Sequence, residues 1–419
     1  MSQTGTRTAA GMRRVVVTGM GIVSCLGNAL DSVSANLRAG RRGIVRVDAW
    51  RERGFASQVA AVASVADETP FDRKHERFMG DTARFACHAA RKAIADAGLD
   101  PEALRTPSAG AIIGSGVGTL SAYDTAMAIA GSHGIDRLRP YTVPQAMSST
   151  TSANVANVFG IQGATYSPSS ACTTSALAIG QAMQLLQTGR QEIVLAGGSE
   201  ALHDNMTLMF DAMGTLSRGF NDTPDRASRP YDAGRDGFVI ASGAGVLLLE
   251  TLEHALERGA RIHAELTGFG HCTDGAGMVT PRAGGIARAM RAAIDEAGER
   301  PDYINTHAPS TPQGDLEELH ALRAVFGSEM PPFSSTKGLT GHPLGACGAQ
   351  EAIYTLLMMR DRYMAGTAGI ENLDANAADL PLVRASRDAV VGTALSVSFG
   401  FGGSCASLMF RAWNEDPWF

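Results

Sequence analysis

A chain of 419 residues can bury a large core and by length alone could form two or three domains. Hydrophobic residues make up 44% and charged residues 19%, an ordinary globular composition, and no apolar run is long enough to span a bilayer, so membrane insertion is not expected. The formal net charge of -6 leaves no overall basic excess to favour nucleic acid or an anionic membrane.

Residues 1–12 read as a polar, flexible leader without the apolar segment of a secretory signal. Arg14-Val15-Val16-Val17-Thr18 is the first buried strand. It runs into Thr18-Gly19-Met20-Gly21-Ile22-Val23-Ser24, which has the outline of a dinucleotide fingerprint. Ser24 stands at its third glycine position and no acidic residue follows at the required distance, so a tight strand-to-loop turn is the reading adopted. Phe85 to Ala97 is a helix closed by Gly98, followed by a strand at Ala111-Ile112-Ile113.

Ser175 to Thr188 is the next helix, and Glu192 to Ala196 and Val246 to Leu249 are further strands. Residues 210–235, rich in Asp, Arg, Pro and Gly, read as long irregular structure between them. In the second half, helices are expected at Ile286–Ala297, Leu316–Phe326 and Ala346–Met359, with a strand at Tyr303-Ile304-Asn305. Strands and helices alternate throughout, which makes the class α/β. The second half repeats the texture of the first without a strict sequence repeat. The six cysteines are scattered with no Cys-x-x-Cys pair, as in a reduced, cytoplasmic protein.

Four segments could carry chemistry. Ser169-Ser170-Ala171-Cys172-Thr173-Thr174 places one thiol among small residues just before a helix, where free N–H groups and the helix dipole favour thiolate. An inert buried cysteine fits this segment alone equally well. His307 leaves a strand into a turn of small polar residues ending at Asp315, as an acid, a base or an ordinary loop histidine. Lys337 and His342 stand five residues apart in a glycine-rich turn ahead of a helix, a turn read as too flexible for the core; a phosphate-binding loop is excluded because the lysine precedes these glycines. Ser398-Phe399-Gly400-Phe401-Gly402-Gly403 reads as a mobile apolar flap with available backbone N–H groups, or a β-bulge. Among the ten histidines no metal-ligand spacing appears, and no Gly-x-Ser-x-Gly elbow is present.

Taken in order, these segments resemble the β-ketoacyl-acyl carrier protein synthases of the thiolase superfamily, in particular the I/II branch. The supporting stretches are Val-Thr-Gly-Met-Gly-Ile-Val-Ser from Val17, Ser-Ser-Ala-Cys from Ser169, Phe-Asp-Ala-Met-Gly from Phe210, Arg-Asp-Gly-Phe-Val-Ile from Arg235, Thr-Lys-Gly-Leu-Thr-Gly-His from Thr336 and Ser-Phe-Gly-Phe-Gly-Gly from Ser398. The resemblance covers Arg13 to Trp413 and implies a thiolase-like fold, two similar halves in five α/β/α/β/α layers, divided here as residues 13–258 and 259–419. It implies that Cys172 is the nucleophile, that His307 and His342 hydrogen-bond an enolate, that Lys337 and Glu351 order them, and that the backbone N–H groups of Cys172 and Phe401 form the oxyanion hole. Val117, Phe399 and Phe401 would line the acyl site, and Thr311 would meet the phosphopantetheine arm. Lys74 and Arg77 would meet the acidic acyl carrier protein, although a solvated charged turn is the other reading of that run. The implied reaction is a decarboxylative condensation of an acyl thioester with malonyl-acyl carrier protein, without metal or redox cofactor, in a homodimer or in a heterodimer with a chain-length-factor-like subunit.

The family's His-Gly-Thr-x-Thr reads His307-Ala308-Pro309-Ser310-Thr311, its Gly-Gly-Thr-Asn reads Gly402-Gly403-Ser404-Cys405, and Arg282 replaces a small residue near the pantetheine tunnel. These departures bear on the pathway, fatty-acid, type II polyketide or aryl polyene synthesis, more than on the core chemistry. A non-catalytic chain-length-factor-like subunit is the competing reading, opposed by the retained Cys172. A coenzyme A-dependent thiolase or chalcone-like enzyme is opposed by the pair of histidines.

Overall fold

The computed structural model describes residues 5–413. Leaving aside helices and short strands inserted between them, the framework of each half runs strand, helix, strand, helix, strand, helix, strand, strand. In the first half these are β1 (Val15–Val23), α1 (Asp81–Asp96), β2 (Ala109–Gly114), α2 (Thr150–Phe159), β3 (Thr165–Tyr166), α3 (Thr174–Gln187), β4 (Ile193–Glu200) and β5 (Gly243–Thr251). In the second they are β6 (Ala264–Thr273), α4 (Ala283–Ala297), β7 (Tyr303–Asn305), α5 (Pro312–Phe326), β8 (Phe333–Ser334), α6 (Cys347–Asp361), β9 (Thr393–Gly400) and β10 (Ser404–Ala412). The strands join in the order β8-β7-β9-β10-β6-β1-β5-β4-β2-β3. Read outward from the β1/β6 pair, the two sides have one topology, so the repeat only suggested by sequence texture is present in the fold. The sides meet through three antiparallel pairs, from Val15 opposite Leu266 to Val17 opposite Ala264.

Helices α1 and α2 cover one outer face and α4 and α5 the other, while α3 and α6 lie between the two halves of the sheet and pack against each other. This gives five layers. Leu247, Leu249, Ile179, Met183, Ile353 and Leu357 fill the centre, and the strands are apolar on both sides because helices cover both faces.

The Gly-x-Gly segment after the first strand is not a turn. Gly19 and Gly21 lie within β1, where Cβ atoms would fall 2.1 Å from the Ala93 carbonyl oxygen and 1.9 Å from that of Ala89 on α1. Only glycine lets the outer helix approach so closely. Gly268 and Gly270 of β6 meet the Ala293 and Ala289 carbonyls of α4 at 2.1 and 1.9 Å in the same way. Thr18-Gly19-Met20-Gly21 and Thr267-Gly268-Phe269-Gly270 are therefore one motif used twice.

Two other readings also change. The Lys337 turn is core: a short helix at Lys337–Thr340 and its flanks are buried, because small residues pack closely and the lysine charge is paired with Glu351. The Phe401 segment is a tight hairpin turn between the fully paired β9 and β10, with Gly402 and Gly403 at positive φ. Near the start of the chain, the Arg14 N–H donates to the Thr6 carbonyl and Arg7 bridges to Arg13, turning that segment back on itself.

Candidate active site

Cys172 sits in the turn before α3. Ala171 carries it at φ 51°, a left-handed conformation that costs a non-glycine residue about 1–3 kcal/mol. Hydroxyls hold the turn: Thr174 Oγ1 accepts from the Ser170 N–H at 2.8 Å and donates to the Ala171 carbonyl at 2.7 Å. Thr173 Oγ1 donates to the Ser170 carbonyl at 2.8 Å. Gly400, at the end of β9, presses on the same residue, and a Cβ there would lie 2.8 Å from Cys172 N. Phe401 follows directly.

His342 is fixed by its backbone, donating to the Val239 carbonyl at 2.8 Å, and its Nε2 lies 3.0 Å from Cys172 Sγ. His307 follows β7, and its ring stands almost perpendicular to that of His342 with centroids 5.0 Å apart. Phe399 packs on His307 at 4.4 Å. Lys337 Nζ is 3.3 Å from His307 Nδ1 and is paired with Glu351. Chain segments 135 residues apart thus bring Cys172, His307, His342, Lys337 and Glu351 into one cluster, in which Cys172 is half-buried and the other four are buried.

Burial holds the pKa of both imidazoles well below its ordinary value, and the Lys337 charge adds to this, so both rings are neutral. Burial opposes the Lys337 charge but is outweighed by Glu351, so Lys337 remains an ammonium. As the ammonium can only donate, His307 Nδ1 accepts, and the His307 proton sits on Nε2. The thiol departs from the sequence expectation: burial pushes Cys172 up to about 12, Lys337 opposes this, and Glu200 and Glu351 add to it. Its resting form is the thiol.

The remaining candidates divide. Thr311 begins α5, half-buried, with no side-chain cap bond. Val117 is 43% exposed beside the site, its N–H reaching Glu200 Oε1 at 3.4 Å. Lys74 and Arg77 lie on the surface, Lys74 3.7 Å from Asp72 and Arg77 over the Phe78 ring; no contact joins either to Cys172 among the described residues. Arg282 is exposed at the start of α4.

Sequence reasoning missed three carboxylates. Glu318 accepts the N–H groups of His307 and Ala308, both at 2.8 Å, and Asp315 accepts those of Ser310 and Thr311, both at 3.1 Å. These bonds fix the loop around Pro309, where Ser310 has φ 81°. Glu200 ties the Val117 loop to the loop behind His342, accepting from Gly116 N at 2.7 Å and Gly345 N at 3.1 Å. Asp315 and Glu318 at i, i+3 in the first turns of a helix were a usable signal; Glu200, inside an apolar strand, had none beyond its charge. Cys347 was missed as well, and its Sγ donates to the Cys172 carbonyl at 3.0 Å. The donor atoms of Cys172, His307 and His342 lie within 4.8 Å of one another, close enough to hold a cation. The Lys337 ammonium against His307 places a positive charge beside that space.

Residues 12–255 match the sequence profile described as "Beta-ketoacyl synthase, N-terminal domain", and residues 263–371 match "Beta-ketoacyl synthase, C-terminal domain". This chain belongs to the β-ketoacyl synthase family. It is 48% identical over 403 residues to "3-oxoacyl-[acyl-carrier-protein] synthase 1" of Escherichia coli K12, covering 96% of this chain and 99% of that one. A β-ketoacyl synthase crystal structure from Burkholderia phymatum STM815 superposes with a TM-score of 0.91 at 37% identity, over 96% of this chain and all of the other. A type II polyketide synthase acyl-carrier protein in complex with its ketosynthase bound to the hexaketide gives 0.88 at 30% identity, again over 96% of this chain and 100% of that one. In this ketosynthase, four of the five non-glycine residues at positive φ among the described residues (Ala171, Tyr231, Ser310 and Leu344) hold or flank the loops that carry Cys172, His307 and His342. Backbone strain is concentrated at the site.

Proposed function

We propose that this ketosynthase joins an acyl group held on Cys172 to a malonyl unit carried by an acyl carrier protein. The observation that carries the reading is the neutral pair His307 and His342 around the Cys172 thiol, with Nε2 of His342 at 3.0 Å and the His307 tautomer set by Lys337. In acylation the Cys172 sulfur forms a bond to the thioester carbonyl carbon as its proton passes to His342. The carbon–sulfur bond to the carrier breaks, and the carrier thiolate takes that proton. The developing oxyanion lies between the N–H groups of Cys172 and Phe401, a placement supported by the contact of Gly400 with Cys172. A malonyl thioester then loses carbon dioxide. His307 Nε2–H and the His342 ring converge on the enolate oxygen, and the carbanion forms a bond to the Cys172-bound acyl carbon. The carbon–sulfur bond to Cys172 breaks, and the leaving thiolate takes a proton from solvent water to regenerate the thiol.

The substrates arrive on phosphopantetheine; Thr311 bonds the arm, Val117 and Phe399 line the acyl pocket, and Lys74 and Arg77 meet the carrier. The division at 258/259 falls between the two matched profiles, which supports two ketosynthase halves. We assign a homodimer across the β3 edge, where the last strand of the sheet has no further strand beside it among the described residues and Tyr166 is 40% exposed. No helix among the described residues is long and apolar enough to cross a membrane; a cytoplasmic setting is proposed from the likeness to bacterial 3-oxoacyl-[acyl-carrier-protein] synthases. A non-catalytic chain-length-factor role is opposed by the complete Cys172, His307, His342 and Lys337 set. The test is condensation of acyl- and malonyl-carrier proteins, with mass spectrometry of the trapped acyl-enzyme. Acyl mass on the Cys172 peptide, absent in Cys172→Ala, is expected; turnover without acylation of Cys172 overturns the proposal.

A further inference from the structure

We propose that Cys272 and Cys405 form a redox-active pair that closes to a disulfide when met by a hydroperoxide. Neither residue takes part in the condensation. Cys272 is the penultimate residue of β6 and Cys405 the second residue of β10, and the two stand directly opposite in the antiparallel register. Opposed residues in such a pair have Cα atoms about 4.5–5.5 Å apart and side chains on the same face, inside the ~4.4–6.8 Å window of disulfides.

The sulfurs converge on one point. Cys272 Sγ donates to the Gly285 carbonyl at 3.2 Å, and a Cβ on Gly285 would lie 3.2 Å from Cys405 Sγ. Cys405 Sγ in turn donates to the Gly403 carbonyl at 3.5 Å, and both thiols are free. Gly285 thus leaves the space in which the bond would form.

Exposure divides the roles. Cys272 keeps some accessible surface, whereas Cys405 is 1% exposed. Cys272 sulfur attacks the hydroperoxide, breaking the O–O bond, becoming a sulfenic acid and releasing water or an alcohol. Cys405 sulfur then attacks the Cys272 sulfur, the S–O bond breaks, and hydroxide leaves with the Cys405 proton as water. The peroxide is reduced and two thiols are oxidised by the same two electrons.

The bond would lie at the base of two loops that already touch. The Asp274 N–H donates to the Gly403 carbonyl and the Gly402 N–H to the Met278 carbonyl, both at 2.8 Å. Phe401 lies in that turn, beside Cys172, so oxidation is registered next to the nucleophile without consuming it.

The full chain carrying Cys172→Ala is treated with hydrogen peroxide, and intact mass and non-reducing peptide maps are recorded. The expected result is loss of two hydrogens, a linked pair of peptides containing Cys272 and Cys405, and reversal by dithiothreitol. With Cys405→Ser added, Cys272 should instead gain an oxygen trapped by dimedone. Wild-type chain, differentially alkylated before and after peroxide, gives the same readout without any substitution: both cysteines lose label together. Persistence of both thiols under peroxide, or a link to any other cysteine, overturns the proposal.

Discussion

Replacing Gly400 with alanine tests whether the end of β9 sets the geometry around the nucleophile. Gly400 has φ -160° and ψ -178°, extended backbone that alanine adopts without strain. The substitution therefore acts through contact alone. Its Cβ would lie 2.8 Å from Cys172 N and 3.0 Å from Cys172 Cβ, where ordinary contact begins at 3.4 Å. The strand end and the Cys172 turn must separate by roughly half an ångström, against neighbours that are close-packed. That displacement falls on the two N–H groups assigned to the oxyanion. Loss of one such donor costs about 2.7–4 kcal/mol, or about 10²–10³ in rate. Rapid-quench measurement of Cys172 acylation, with thermal unfolding in parallel, should show that loss in rate with a smaller change in stability. Gly402→Ala is the control: Gly402 has φ 79° and no atom within 4 Å of its would-be Cβ, so about 1 kcal/mol of backbone strain should appear in stability. Acylation by Gly400→Ala within a few-fold of wild type, in a folded protein, would refute the argument that this contact sets the oxyanion site.

Lys337→Met leaves Glu351 buried without its partner and should cost about 3–5 kcal/mol in denaturant unfolding, whereas Lys337→Met with Glu351→Leu should recover most of that stability. Single-turnover condensation should stay impaired in both, because neither restores the donor to His307 Nδ1. Glu250 is buried against Arg258, His254 and Thr18; burial opposes its charge, but these hydrogen bonds outweigh it and hold its pKa down to about 2. A folded pKa below the unfolded value contributes stability that is complete above the unfolded pKa, ~4.3, and is lost as pH falls toward 2, so Glu250→Gln should remove about 3 kcal/mol at neutral pH and flatten the acid limb of a stability-against-pH curve. If Thr311 bonds the phosphopantetheine arm as proposed, Thr311→Ala should raise KM for malonyl-carrier substrate several-fold with little change in kcat, since that contact would be made alike in ground and transition states.

Much of the site was legible because its residues sit at element ends that glycine and small polar residues mark. Cys172 before α3, His307 after β7 and Phe401 in the β9–β10 turn are examples. What could not be read depended on partners distant in the chain. Gly19 and Gly21 looked like a turn because the Ala89 and Ala93 carbonyls they make room for come some 70 residues later. The Lys337 turn looked exposed because its neutralising Glu351 lies on the next helix. The Cys172 thiol looked acidic because local reasoning counts the helix N-terminus and not burial by the opposite half. Cys272 and Cys405 are 133 residues apart, and only the strand register sets them face to face.

The β1/β6 junction separates the thiol from its bases along the chain. Everything before residue 259 holds Cys172 and Glu200 but neither His307 nor His342; everything after holds His307, Lys337 and His342 but not Cys172. The burial that pushes the Cys172 thiol up to about 12 exists only in the complete fold, so a first half on its own would lack both the bases and that suppression of the thiol. On the proposed roles, packing of the two halves against each other is what brings thiol and imidazoles within reach, so condensation should depend on their assembly.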